Sequence, residues 1–192
     1  MMSPERSCFI IERETHNLIR AVIRPVKPSD KVLWTRWHSE MPPDEDDAQW
    51  EWDRFMDWPT FYPERFAVYA LEAVGELQGL RMLEVSEDDV AQYGTHALRL
   101  STAPWNRPPV RRYQGVGSLL VGVAILRSQQ DNHGGCVHCE SLPNAEAFHE
   151  RNGMAIFDEL SEEGLRRYRF TAQTGREFLS RLERDGLIDV GS

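Results

Sequence analysis

An α/β domain on one central mixed, mostly antiparallel sheet of about 6–7 strands flanked by helices is the fold class this sequence predicts. Three observations predict it. Short apolar stretches rich in β-branched residues alternate with segments of helical period. No repeat, low-complexity run or linker divides the chain. Its 192 residues are enough for one core and short for two, at roughly 100–200 residues per domain. Residues 1–192 are therefore expected to form a single domain, with a core over about 18–172 and a C-terminal helix over about 174–185.

The elements follow in order. Residues 9–11 and 18–26 are β-branched and apolar enough for strands. Pro25 and Pro28 punctuate, Ser29 or Asp30 is suited to cap a helix through about Glu40, and Pro42 and Pro43 stop it. The carboxylates Asp44 to Asp47 precede a second helix, 48–56, where negative charge suits the helix dipole. Segments 66–73 and 77–85 alternate around Gly75 as an antiparallel hairpin, and 87–92 fits a turn of helix. A strand at 97–102 ends at Pro104. Val116, Leu119, Leu120, Val123 and Ala124 then share one face of a helix running to Gln130. Gly134 and Gly135 break it before a strand at 136–141, a short helix at 144–152, and strands near 155–157 and 168–171.

Composition excludes several classes of function. A net charge of −9 argues against a general nucleic-acid binder, which needs a basic face to neutralise phosphates. The same charge suits a cationic amine substrate, and equally suits plain solubility. No segment approaches the ~18 consecutive apolar residues of a membrane span. Residues 1–7 carry Glu5 and Arg6 and no apolar stretch of a secretory signal, so a cytoplasmic protein without membrane partners is expected. Cys8, Cys136 and Cys139 are too few for a disulfide scaffold.

The string that carries chemistry is Arg112-Tyr113-Gln114-Gly115-Val116-Gly117-Ser118, opening directly into a helix. A glycine-containing turn at a helix start gathers unpaired backbone N–H groups into a concavity that favours phosphate. Gly115 and Gly117 allow close approach of an oxyanion, and Arg112 adds a forked cation at the mouth. A plain tight turn into a helix is the competing reading. The Walker loop is excluded, because no Gly-Lys-Ser/Thr follows. So is the dinucleotide fingerprint, because the third glycine is missing.

Arg112-Tyr-Gln-Gly115-Val-Gly117 resembles the Arg/Gln-x-x-Gly-x-Gly/Ala motif of the GCN5-related N-acetyltransferase (GNAT) superfamily. A second motif of that family, a strand, then Asn, a short helix with a small and an aromatic residue, then Gly, is similar to Ser141-Leu-Pro-Asn144-Ala-Glu-Ala147-Phe148-His149-Glu-Arg-Asn-Gly153-Met154. The resemblance covers most of the chain. It implies an N-acetyltransferase moving an acetyl or other acyl group from acetyl-CoA, as co-substrate, to a small-molecule or peptidyl amine in a ternary complex, with no metal. It also implies a sheet splayed between the fourth and fifth core strands, the strand ending at Thr102 and the strand 136–141, with the pantetheine arm in the gap. The main chain of Leu100, Ser101, Thr102 and Ala103 would bond the pantetheine amides, and Tyr113, Gln114, Val116 and Ser118 would complete the pyrophosphate loop. Asn144 and Phe148 would flank the arm. Asn144 is also a natural helix cap, and Phe148 a natural core residue.

Transfer needs a base for the amine and an acid for the thiolate, and holding both reactants together supplies much of the rate. In many family members the acid is a Tyr just after the position of Phe148; here that residue is His149. With an unperturbed pKa near ~6.5 it is either the acid or a helix-surface His. Tyr113 and Tyr168 are reserves, and Glu84, Glu140 and Glu72 are candidate bases or solvated strand carboxylates. The missing tyrosine keeps open a non-catalytic acyl-CoA-binding module of the same fold; a homodimer also stays open.

Cys136-Val-His-Cys139 invites zinc, but a second pair is missing and residues three apart on a strand face opposite ways. Trp34 and Trp37 read as core. Trp50, Trp52 and Trp58, beside Glu51, Asp53 and Asp57, suit an amine cation. Arginines of the loop 105–111 either reach the 3′-phosphate of the cofactor or decorate a Pro-Pro turn.

Overall fold

The structure is a computed structural model that describes residues 5–85, 93–157 and 160–188. Its strands are β1 Arg6–Glu12, β2 Leu18–Pro25, β3 Phe66–Ala73, β4 Glu76–Glu84, β5 Thr95–Thr102, β6 Tyr113–Gln114, β7 Val137–Ser141, β8 Ala155–Phe157 and β9 Arg166–Phe170. Its helices are α1 Asp30–Ser39, α2 Trp52–Phe55, α3 Trp58–Phe61, α4 Val116–Gln130, α5 Glu146–Arg151 and α6 Ala172–Arg184. The turn expected at 87–92 lies outside the described residues.

The strands form one sheet in the order β6-β1-β2-β3-β4-β5-β7-β9-β8, giving nine strands where 6–7 were expected. Part of the excess comes from Tyr113–Gln114, which reads as loop in sequence yet pairs with Ile11 and Glu12 of β1. Such a two-residue strand has no periodicity to detect. Every neighbouring pair is antiparallel except β5 and β7, which run parallel and touch only at Thr95↔Val137 and His96↔His138. Beyond that point they diverge, which is the expected splay. Across from the last shared pair, β4 and β5 change register between Met82 and Glu84, and bulges of this kind bend and twist a strand.

Alternation along the strands builds two cores. Tyr69, Leu71 and Ala73 of β3 face one way, and Phe66, Val68 and Ala70 the other. The first face is covered by α4 and α6. Residues of α4 are buried on nearly every side, beyond the single face expected, because Phe178, Leu179 and Leu182 of α6 close over Gly122. The second face is covered by α1 to α3 and an aromatic chain of edge-on contacts running Trp50, Trp52, Phe55, Trp58.

The helix expected over 48–56 is reduced to the single turn α2, and a second single turn, α3, follows it with Pro59 in its first turn. Trp residues here are held by packing and not by helical propensity. Ser29 is the N-cap of α1 but makes no side-chain cap bond, and Asp30, the first helical residue, is used otherwise. Its carboxylate accepts from the Lys27 amide at 2.7 Å and from Arg24 at 2.8 Å, while Arg24 also reaches Glu72 at 2.6 Å. Glu72 is thereby a structural partner of Arg24. The C-terminal helix starts earlier than expected, where Thr171 and Thr174 form a reciprocal cap. No helix among the described residues is long and apolar enough to cross a membrane.

Candidate active-site cleft

Divergence of β5 and β7 opens a cleft whose two ends differ in chemistry. The outer end, about 810 Å3, is lined by Thr102, Arg107, Gly117, Leu142, Asn144 and Phe148 among others. The inner end, about 400 Å3, is lined by Arg81, Leu98, Leu100, Cys139, Glu140 and His149 among others. Leu100, Leu142, Ala145 and Phe148 belong to both. From Ala97 to Thr102, β5 has no β7 partner, so its edge faces the cleft.

The two motifs meet at the outer end. A Cβ on Gly117 would lie 3.0 Å from Phe148 Cε2, so only glycine leaves that ring its place. One residue on, the Ser118 hydroxyl donates to Asn152 Oδ1 at 3.0 Å. Gly115 precedes α4 with φ 88°, a left-handed conformation suited to glycine, and no side chain caps the helix start. An uncapped helix start beside a cleft is a donor-rich, positive end.

The Arg112 side chain does not converge on that end. Its guanidinium lies 3.3 Å from Glu76 Oε2 and stacks 5.0 Å over the Tyr113 ring. Tyr113 is buried against the core, and Gln114 is exposed. Asn144 does not cap α5, whose first-turn N-cap is Ala145; Asn144 sits exposed in a preceding 3₁₀ turn, its amide donating to Asp46 Oδ2 at 3.4 Å. The acids at 44–47 serve no helix dipole. Asp47 is buried, pairs bidentately with Arg107 at 2.6 Å, and accepts from the Ser101 hydroxyl, which in turn accepts from Trp52 Nε1 at 3.0 Å. Ser101 therefore has only its main chain left for the cleft. Arg107 also donates to the Thr102 carbonyl at 2.9 Å and to Glu45 at 3.0 Å, a third role beside the two expected for the 105–111 loop.

At the inner end, His149 is buried where an exposed helix-surface position was one expectation. Its ring stacks on Tyr168 with centroids 5.3 Å apart, and Nδ1 lies 3.8 Å from Cys139 Sγ. Burial, with a further contribution from the Arg81 charge, pushes its pKa down to about 4, so the imidazole is neutral at pH 7 rather than poised near 6.5. Glu140 lines this end and lies 3.6 Å from Arg167. Glu84 does not line the cleft; it pairs with Arg65 at 2.7 Å and lies 3.4 Å from His96. Tyr113 and Tyr168 do not line it either, and the Tyr168 hydroxyl donates to Glu150 at 3.1 Å.

Trp50 reaches the inner end, but the Arg99 guanidinium already covers its ring at 5.0 Å. Glu51 pairs with Arg54, and Asp57 with Lys31. Trp50 and two of the three acids read as an amine-cation site are thus engaged by this chain's own cations. Among the described residues no group of three His, Cys, Asp or Glu side chains is placed to hold a metal.

Arg81 is the lining residue that sequence reading missed. It lies on β4 between Gly79 and Leu83, and Leu83 is core, so period-2 alternation alone flags a charge on an inward face.

A sheet of this order, with one parallel pair splayed beside a glycine-opened helix, is the GNAT fold. Similar structures are a GNAT-family acetyltransferase from Desulfovibrio desulfuricans (14% identity, 79% of this chain and 99% of that one, TM-score 0.61) and a spermidine N-acetyltransferase chimera of Vibrio cholerae SpeG and hSSAT (16%, 84% and 99%, 0.58). Another is Mycobacterium smegmatis RimJ in complex with CoA-disulfide (15%, 93% and 95%, 0.55). No protein-family model and no curated protein sequence matches the chain.

Proposed function

We propose that this chain is an acyl-CoA-dependent N-acyltransferase. The observation that carries the reading is the meeting of Gly117 with Phe148 at the mouth of the β5–β7 cleft, beside an uncapped helix start. A pyrophosphate suits those helix-start amides of Gly115 to Ser118. The unpaired edge of β5 suits an amide-bearing arm, and the backbone near Leu100 to Ala103 suits the developing oxyanion. Several solved neighbours carry acetyl-CoA or CoA in their structures, which supports the same cofactor here.

The CoA ester supplies an activated acyl group. A neutral amine forms the C–N bond as the C–S bond breaks; its proton leaves to a base, and the departing thiolate takes up a proton. Glu140 is the carboxylate whose position at the inner end supports the base role, directly or through water. His149, neutral and buried, brings no imidazolium proton, so the thiolate is protonated by water or leaves as the anion. The resulting dependence on positioning more than on acid catalysis is compatible with the family's chemistry.

Saturating CoA is expected to raise the melting temperature, by about 2.7 kcal/mol of stabilisation at 100 times Kd. Thiol release from acetyl-CoA is expected in the presence of a broad amine panel. Absence of any CoA stabilisation sinks the proposal. Stabilisation without turnover selects the second reading, an acyl-CoA-binding module, which the lack of a tyrosine among the described cleft-lining residues favours.

A further inference from the structure

Arg81 is 3% exposed, and its Nε reaches no hydrogen-bond partner. No carboxylate pairs with its guanidinium among the described residues. Other arginines are treated differently: the buried Arg24 is held by Asp30 and Glu72, and the half-buried Arg107 by Asp47 and Glu45. Burying an unpaired charge costs several kcal/mol, and proteins normally neutralise or pair it. Arg81 does neither, because burial lowers its pKa only to about 10, leaving it cationic at pH 7.

Among the described residues, the groups around it offer no compensation. Burial holds the Cys139 thiol up at about 12 and the His149 imidazole down at about 4, so both are neutral. Glu140 faces Arg167, and Glu84 faces Arg65 and His96. The rest of the inner end is apolar, including Ala97, Leu98 and Leu100, with Trp50 covered by Arg99. An apolar-lined pocket with a buried cation unpaired among the described residues is a carboxylate site. It is a poor site for a polyamine.

We infer that Arg81 binds a carboxylate carried by one of the two reactants at the inner end of the cleft. This rests on the acyltransferase reading and narrows its substrate class. Two sources share the chemistry: a dicarboxylic acyl chain on CoA, such as succinyl, or an acceptor of amino-acid type whose carboxylate lies beside its reacting amine. In the second case the guanidinium also disfavours the ammonium form, leaving more of the nucleophilic neutral amine.

The full-length chain separates the sources by calorimetry and turnover. One arm compares succinyl-CoA with acetyl-CoA. The other, at saturating CoA, compares L-leucine with isopentylamine and L-phenylalanine with phenethylamine. The wild type is expected to prefer the carboxylate-bearing member in one arm by about tenfold or more in Kd. Arg81→Met is expected to erase that preference while still binding CoA, and Arg81→Lys to restore part of it. Arg81→Met is also expected to raise the ligand-free melting temperature by a few degrees, which removal of a merely structural arginine would not do. Equal binding in both arms, or a preference that survives Arg81→Met, overturns the inference. Should Arg81→Met fold poorly, Arg81→Lys and the wild-type comparison still decide it. Failure of both CoA esters to bind sinks the acyltransferase proposal itself, a different result from equal binding of the two.

Discussion

Two arginines, Arg81 buried and Arg107 half-buried, stand at opposite ends of one cleft and are handled in opposite ways. Arg107, at the outer end, is saturated: Asp47 and Glu45 balance its charge, and the Thr102 carbonyl takes its Nε–H. Arg81, at the inner end, has a buried Nε without a partner. A saturated guanidinium braces; here it ties the 45–47 turn to the end of β5 across 60 residues of sequence. An unsaturated one holds stored electrostatic free energy that a ligand can release. The lesson is that burial of a charge says little until its partners are counted.

The largest expected effect breaks the braced end. Asp47→Ala leaves Arg107 without its bidentate partner and Ser101 without its acceptor, and is expected to cost about 3–5 kcal/mol in denaturant unfolding. A loss below about 1 kcal/mol would mean that Arg107 and Arg81 do not differ in kind. Arg81→Met is expected to change stability in the opposite direction.

The next effect is a pH dependence at the inner end. The folded-state pKa of His149, about 4, lies below the unfolded value of about 6.5, so the unfolded chain binds the extra proton between them. Stability from this group is therefore full above about pH 6.5 and falls as pH drops towards 4, by at most about 3 kcal/mol. His149→Phe is expected to flatten that part of the stability–pH curve. His96, whose pKa burial also lowers, contributes in the same direction and remains in the variant.

The smallest effect concerns the junction of the two motifs. Gly117→Ala forces the Phe148 ring to give by a few tenths of an ångström. A stability change of about 1 kcal/mol or less is expected, because alanine also favours the helix. CoA affinity is expected to fall by more than stability does, read as a smaller thermal shift on CoA addition. An unchanged shift would remove the Gly117–Phe148 contact from the binding argument.

Local signals made the fold readable. Alternation around Gly75 gave β3 and β4, glycines at φ 88° and 90° bounded α4 and the approach to β7, and apolar period marked α4 itself. Propensity misled where packing overrode it, at 48–56, where tryptophans join a second core and only the turn 52–55 is helical. Within the site, the glycine pattern of 112–118 was legible because main-chain geometry is encoded by neighbours. Side-chain destinations were not. Arg112 turns to Glu76, 36 residues away, and Arg24 to Glu72, 48 away. The surroundings of His149 are set by Cys139, Tyr168 and Arg81, which no spacing rule brings together.

The sequence by itself determined the order of elements, the glycine-opened helix at Val116 and the second motif facing it, because backbone preference and hydrophobic period act over a few residues. Only the tertiary structure decided which charges are spent on one another. Ion pairing depends on distances across the sheet, so the same residue type became a brace at Arg107 and an unpaired cation at Arg81.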